Sequence, residues 1–315
     1  MATPIRTTLA TTGTPVLRAE PLAEGVHGLV QPDGGWCVNN AGLVVGSDGS
    51  ALLVDTFATE RRTTALREEV LRLADVPPRA LVNTHFHGDH TFGNWAFPEA
   101  VVIGHERTRA LMTEHGTHLA GLWPDVCWGR IDLVPPQLTY RDAVTLHLGD
   151  VRAEITHIGP AAHTCDDTVV WLPQSRVLFT GDIVMSGVTP FCVMGSVTGS
   201  LDALRRLAAL DPAVVVPGHG PVGGPELLAA NAEYFRWVLD LARHGREAGR
   251  SPLEVARGTE IPQRYTQLID AERLLPNLHR AYADLSGAEP GAVLDIAAIF
   301  QEMTDFLGRL PDCRA

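Results

Sequence analysis

A dense cluster of ligand-type side chains constrains this chain of 315 residues more than any other feature in it. His85, His87, Asp89 and His90 all lie in the stretch Thr84–His90, just past the short apolar run Ala80, Leu81, Val82. Imidazole and carboxylate are the usual ligands of a borderline divalent metal such as zinc. On an extended segment, side chains two apart point the same way, so His85 and His87 converge. Asp89 and His90 can turn toward a different point. The spacing predicts two metal positions rather than one.

Three further residues extend the set. His163 lies in a Gly/Pro loop (residues 159–164) past a strand ending near His157. Asp182 follows an apolar strand in Thr180-Gly181-Asp182, and His219 follows another in Pro217-Gly218-His219-Gly220. Each alone is weak, because a single loop histidine is more often a surface group. Together they form a pattern of side chains delivered from strand ends to a common mouth, where sites are built in layered α/β proteins.

The chain around them reads as short strands alternating with helices. Strands are predicted near residues 26–30, 42–45, 51–54, 80–82, 101–103, 144–148, 151–157, 168–172, 176–179 and 213–216. Helices are predicted near 59–73, 106–112 and 201–210, the last capped by Ser200. After Pro225 the chain turns mostly helical, with helices near 226–245, from Ser251-Pro252, across 268–285 with a kink or split at Pro276, and across 290–307 with a stop at Gly308. The last carries Ile296, Ile299, Phe300, Met303 and Phe306 on one stripe, read as core packing; that stripe can meet its own core or a second copy in a homodimer. Residues 113–140 lose periodicity but hold Trp123 and Trp128, which argues for a functional loop rather than disorder. A weak repeat is also visible. A strand ending at Asp55, a helix and a strand precede His85 and His87; a strand ending near Asp182, a helix and a strand precede His219. The expected organisation is an N-terminal flexible segment (1–19), a catalytic domain (20–223) and a helical extension (224–315).

Charge and composition narrow the function. The net charge of −12 disfavours nucleic acid or an anionic membrane as a partner. All 25 basic residues are arginine, so no lysine Schiff base or lysine general base is available. Five cysteines without a CxxC pair suggest reduced thiols, and the Thr-rich N-terminus carries no apolar run; both point to a cytoplasmic protein.

The order His-x-His-x-Asp-His, then His, then Gly-Asp, then Gly-His-Gly resembles the metallo-β-lactamase-fold superfamily across roughly residues 20–223. The resemblance implies an α/β, four-layer αββα sandwich, here with a helical C-terminal extension. It implies that His85, His87 and His163 hold one metal, that Asp89, His90 and His219 hold the second, and that Asp182 bridges. Asp55 matches an early strand-end aspartate that orients ligands from behind. Two divalent ions are expected, zinc first, with manganese or iron as alternatives. They would share a hydroxide that attacks a carbonyl, with Asp89 orienting it or accepting its proton.

Departures from the family pattern narrow the chemistry. β-Lactamases of this fold generally lack an aspartate at the position of Asp182, several having cysteine, and Cys165 is misplaced for that role. Antibiotic hydrolysis is therefore disfavoured. Glyoxalase II-like thioesterases share the full ligand set and also end in helices. The stretch Gly181–Ser196, with the preceding His163–Trp171, resembles the cyclase/thioesterases of aromatic polyketide pathways. That resemblance implies a thioesterase/cyclase acting on an acyl-carrier-protein-bound thioester, with carbonyl and enolate polarisation. The alternatives are a hydrolase of another small thioester, ester or lactone, and a mononuclear iron enzyme like the persulfide dioxygenases. Trp36, Phe86, Trp123, Trp128, Phe191 and Met194 are the candidate walls of an apolar acyl pocket.

Overall fold

The computed structural model describes residues 16–315. Its first sheet opens with four antiparallel strands in chain order: β1 (Arg18–Ala23), β2 (Val26–Val30), β3 (Ala41–Val45) and β4 (Ala51–Val54). Helix α1 (Glu60–Leu73) then crosses back to β5 (Ala80–Val82), parallel to β4. The short helix α2 (Gly88–Thr91) precedes β6 (Val101–His105), helices α3 (Glu106–His115) and α4 (His118–Leu122), and β7 (Leu138–Tyr140), and both strands add in parallel.

The second sheet begins with β8 (Ala143–Leu148), β9 (Val151–His157), β10 (Thr168–Leu172) and β11 (Val177–Phe179), each antiparallel to the one before. Helix α5 (Val197–Ala208) crosses to β12 (Val214–Val216), parallel to β11. The units β4–α1–β5 and β11–α5–β12 are the two halves of the repeat visible in the sequence. The chain ends in α6 (Glu226–Glu247), α7 (Pro252–Gly258), α8 (Leu274–Leu285) and α9 (Ile296–Leu307).

Side-chain alternation sets the layers. Leu52, Val54, Val82 and Ile103 of the first sheet meet Ile155, Val170, Val177 and Phe179 of the second in an inter-sheet core. The opposite faces of the same strands are also apolar. Leu53 and Leu81 pack under Leu66 and Val70 of α1. Val169, Leu178 and Val215 pack under α5, α6 and α8. Strands buried on both faces explain the unbroken apolar runs in the sequence. The result is a four-layer αββα sandwich. Its helical extension lies on the outer face of the second sheet and shares one core with it. No described helix is long and apolar enough to cross a membrane.

Several boundaries differ from expectation, each for a local reason. Residues 1–15 of the N-terminal segment lie outside the described residues, and Arg18 and Ala19 already pair in β1. Helix α5 starts one turn earlier than predicted, because Ser196 and not Ser200 accepts the Gly199 N–H as its cap. Helix α8 begins at Leu274, so Pro276 sits in its first turn, where a missing N–H costs nothing and no kink is needed. Helix α9 begins at Ile296 under an Asp295 cap rather than at Pro290, and ends at Gly308 in the left-handed region (φ 76°), as predicted.

Candidate metal centre

Each ligand-type residue sits just past a strand, in a loop or a short helical turn, Asp89 and His90 being on α2. Asp55 follows β4, His85–His90 follow β5, His163 follows β9, Asp182 follows β11 and His219 follows β12. Since the two sheets stack with these ends together, the seven residues named from the sequence meet. They form two groups: His85, His87, His163 and Asp182 in one, and Asp89, His90 and His219 in the other. All seven except His87 are buried, and His87 is half-buried.

The hydrogen bonds behind the rings fix which nitrogen faces inward. His163 Nδ1 donates to the Phe191 carbonyl at 2.6 Å and His219 Nδ1 to the Gly34 carbonyl at 2.9 Å. His90 Nδ1 meets Asp55 Oδ2 at 2.8 Å, and His85 Nδ1 meets Thr84 Oγ1 at 3.1 Å. Asp55 also accepts from the Thr84 N–H and hydroxyl, both at 2.7 Å. It holds this position with φ 61°, which aspartate tolerates better than most residues. Four Nε2 atoms are thereby left as bare lone pairs pointing into the centre.

In the first group, His87 Nδ1 lies 3.0 Å from both His85 Nε2 and His163 Nε2. With two of the three nitrogens committed as acceptors, they cannot all satisfy one another by hydrogen bonding. Ligand nitrogens about 2.0–2.1 Å from a tetrahedral zinc stand roughly 3.3 Å apart, close to what is seen. In the second group, His219 Nε2 lies 3.3 Å and His90 Nε2 3.8 Å from Asp89 Oδ2. Asp182 reaches both groups. Its Oδ2 is 3.9, 3.5 and 3.3 Å from His85, His163 and His219 Nε2, and its Oδ1 is 3.1 Å from His90 Nε2. His90 Nε2 and Asp182 Oδ1 are buried and make no hydrogen bond. Orphaned polar atoms facing each other in a sealed core are costly unless something sits between them.

Electrostatics agree. Burial and the surrounding imidazoles push His85 well below the usual histidine range, and burial together with His163 pushes His87 down to about 3. Burial also works against charge on His90 and His219, but the Asp182 carboxylate and its acidic neighbours outweigh it, lifting His90 and taking His219 to about 9. Burial would raise Asp89, yet His90 and His219 outweigh that and bring it to about 2. The protein part alone thus draws protons onto two imidazoles to balance its carboxylates. Divalent cations supply that positive charge instead. The donors fit two of them, and the nitrogen-rich set suits zinc.

The loop that carries His163 is fastened by a residue that the sequence reading missed. Asp167 accepts from the Ala162 and Thr164 N–H groups at 3.0–3.1 Å and from the Thr164 hydroxyl at 2.6 Å. The Thr-x-x-Asp spacing was the available signal.

A cavity of about 170 Å³ opens on the two groups, and His87, Asp89, Asp182 and His219 form its floor. Of the wall residues named from the sequence, Trp36, Phe86, Trp123, Phe191 and Met194 line this cavity. Trp128 does not. It is buried behind the wall against Phe92, with its Nε1 donating to the Trp123 carbonyl. Two contributions were not foreseen. Helix α4 forms inside the supposedly irregular stretch and supplies Leu119 and Leu122; α9 supplies Ile296 and Phe300. The α9 stripe is thus divided: Ile299 and Met303 are buried in the core, while Ile296 and Phe300 face the cavity.

The separation of the two groups makes a testable distinction. His87→Ala is expected to lower the metal content from about two ions per chain to about one by emptying the first position, and His219→Ala to do so by emptying the second. Elemental analysis of protein purified without chelator checks this; unchanged content in both variants contradicts the assignment.

A family model described as the metallo-beta-lactamase superfamily matches residues 34–219. A linear primary-alkylsulfatase of Pseudomonas sp. (strain ATCC 19151) is 26% identical over 255 residues, 67% of this chain and 48% of the relative. A hydroxyacylglutathione hydrolase of Rhodobacter capsulatus is 30% identical over 152 residues, 48% of this chain and 49% of the relative. The chain thus spans about half the length of these two relatives, and more of a type 2 metallo-beta-lactamase of Bacteroides fragilis, 26% identical over 207 residues, 64% of this chain and 76% of the relative. Among solved structures, a metallo-beta-lactamase from Pontibacter korlensis aligns with TM-score 0.59 at 23% identity, covering 70% of this chain and 99% of that one, a likeness of fold. With the family match running across both ligand groups and more than half of the chain, this protein belongs to the metallo-beta-lactamase superfamily.

Proposed function

We propose that the chain is a dinuclear metal-dependent hydrolase that cleaves thioesters of apolar acyl groups. The observation that carries this reading is the apolar cavity opening directly on the two ligand groups. Bound cations would polarise an acyl carbonyl and make a water acidic enough to ionise near neutral pH. The chain's own residues do the rest. Asp89 is ionised and borders the cavity, so its carboxylate can orient a water by accepting its hydrogen bond. Trp36, Trp123, Phe191 and Phe300 hold the acyl chain and exclude competing water.

The leaving group follows from what the site lacks. No lysine exists in the chain, and the cavity imidazoles outside the ligand groups, His115 and His118, come from α3 and α4, so the loops that carry the ligands supply no acid for protonating an alkoxide or amine. A thiol with pKa near ~8.5 departs as thiolate without one. The hydroxyacylglutathione hydrolase relative is named for a thioester substrate, which supports the same class. The second ligand group weighs against a mononuclear iron enzyme. Within the thioester class, the motif resemblance points to a polyketide chain presented by an acyl carrier protein and closed into a ring through a stabilised enolate. That finer reading rests on residues 163–196 alone.

The test offers purified protein an N-acetylcysteamine β-keto thioester, the matching oxygen ester and a chromogenic cephalosporin. Thioester turnover should exceed both others, and Asp89→Ala should abolish it. Efficient cephalosporin hydrolysis with an inert thioester overturns the proposal.

A further inference from the structure

Arg273, from the helical extension, stands in the cavity wall and has no part in the chemistry above. It is 2% exposed, and among the described residues lining the cavity it alone carries a permanent positive charge. Its guanidinium lies over the Trp36 ring at 4.2 Å and 5.8 Å from the Phe191 ring. Its Nη1 donates to the Thr189 carbonyl at 3.2 Å and meets Met185 Sδ at 3.1 Å. Met185 in turn forms a β-bridge with His219, so the cation stands one side chain from the second ligand group.

Its charge is paired, but its donors are not all used. Asp270 Oδ2 approaches Nη2 at 2.9 Å, but this contact lacks hydrogen-bond geometry, and both Asp270 Oδ2 and Arg273 Nε are buried without a hydrogen-bond partner. A guanidinium under aromatic rings is expensive unless its fork of donors is used. Arg280 in α8 makes the contrast. It is just as buried and also leaves one nitrogen, Nη1, unpartnered, but it spends Nε and Nη2 on the Val193 and Ala292 carbonyls and does not border the cavity. A brace for Trp36 needs no cavity position, since Trp36 is already tied by its Nε1 to Glu272 at 2.9 Å.

We infer that Arg273 is a specificity-determining residue that selects acyl groups carrying a second, anionic oxygen, such as a carboxylate or an enolate, away from the scissile carbonyl. The inference rests on the thioester reading above. An oxygen of that kind would add an acceptor for the guanidinium at the cavity wall, while the rings on either side hold the intervening carbons. A hydrogen bond between charged partners in a water-poor site is among the strongest available, so the preference should be at least about tenfold.

The experiment compares N-acetylcysteamine thioesters of two chain lengths, glutaryl against pentanoyl and adipoyl against hexanoyl. Wild-type protein should show a higher kcat/KM for the carboxylate-bearing member of at least one pair, by about tenfold or more. Arg273→Gln should bring that ratio close to one by raising KM for the carboxylate-bearing substrate, and Arg273→Lys should keep part of it. Equal losses on both members would mean that Arg273 merely props up Trp36, and would overturn the inference while leaving thioester hydrolysis intact. A wild-type ratio near one in both pairs overturns it without recourse to the variants. Wild-type protein inert to all four thioesters overturns the thioester reading and this inference with it.

Discussion

Asp182→Asn is expected to leave the fold in place and to cut hydrolysis by about 100-fold or more, the upper end of what disturbed metal surroundings cost. The side chain keeps its volume, so the inter-sheet core beneath it is not disturbed. What changes is charge and polarity at a residue whose two carboxylate oxygens reach both ligand groups. Oδ2 stands 3.3 Å from His219 and 3.5 Å from His163, and Oδ1 stands 3.1 Å from His90. In the amide, one of these positions becomes an NH2 donor that cannot bind a cation, and one negative charge is lost between two positive centres. The loss should therefore fall on retention of the second ion and on turnover together. Elemental analysis and thioester kinetics on the same preparation check it. Two ions retained with turnover within about threefold of wild type would mean that Asp182 is not shared.

The site was legible in the sequence because its chemistry is local in the chain. Four of the seven ligand-type residues lie between His85 and His90, and the others each follow a strand, near glycine or proline. The repeated strand–helix–strand units were legible for the same reason, since hydrophobic runs and the acidic or imidazole residues at their ends share short windows. The cavity wall was less so. Trp36 could be placed near the site because it adjoins a turn, but Trp123 and Trp128 read alike, and only packing decides that one faces the cavity and the other Phe92. Helix α9 shows the limit most clearly. A stripe of apolar residues has the same period whether it meets a core or a cavity, and the two outcomes here alternate within one helix. Arg273 gave no signal, because burial of a cation depends on contacts distant in the chain, with Trp36, Thr189 and Met185.

Gly218→Ala should be more damaging than its size suggests. The loop after β12 lies directly on the loop after β11: the Gly218 N–H donates to the Gly181 carbonyl at 2.8 Å and to that of Val184 at 3.1 Å, and the Gly218 carbonyl accepts from the Asn40 N–H at 2.7 Å. A Cβ at Gly218 would stand 1.9 Å from Asp182 Oδ1, 2.7 Å from the Gly181 carbonyl carbon and 2.8 Å from the Asp182 nitrogen. Two of those three atoms are backbone, so no rotamer change relieves the clash, and the loops must separate. Overpacking of this kind costs about 1–3 kcal/mol. In a chain of this size that lowers Tm by several degrees, at roughly 2–4 °C per kcal/mol. The functional loss should be the larger effect, because His219 and Asp182 sit on the two loops that part, and a shift of about 1 Å can cost about 100-fold in rate. Gly121→Ala is the control: that glycine lies in α4 with no heavy atom within 4 Å of the added carbon, and the change should be neutral or slightly stabilising. Melting curves, metal content and thioester turnover distinguish the two variants. If Gly218→Ala melts where the wild type does, with both ions and full turnover, then the close approach of the two loops does not set the geometry of the centre.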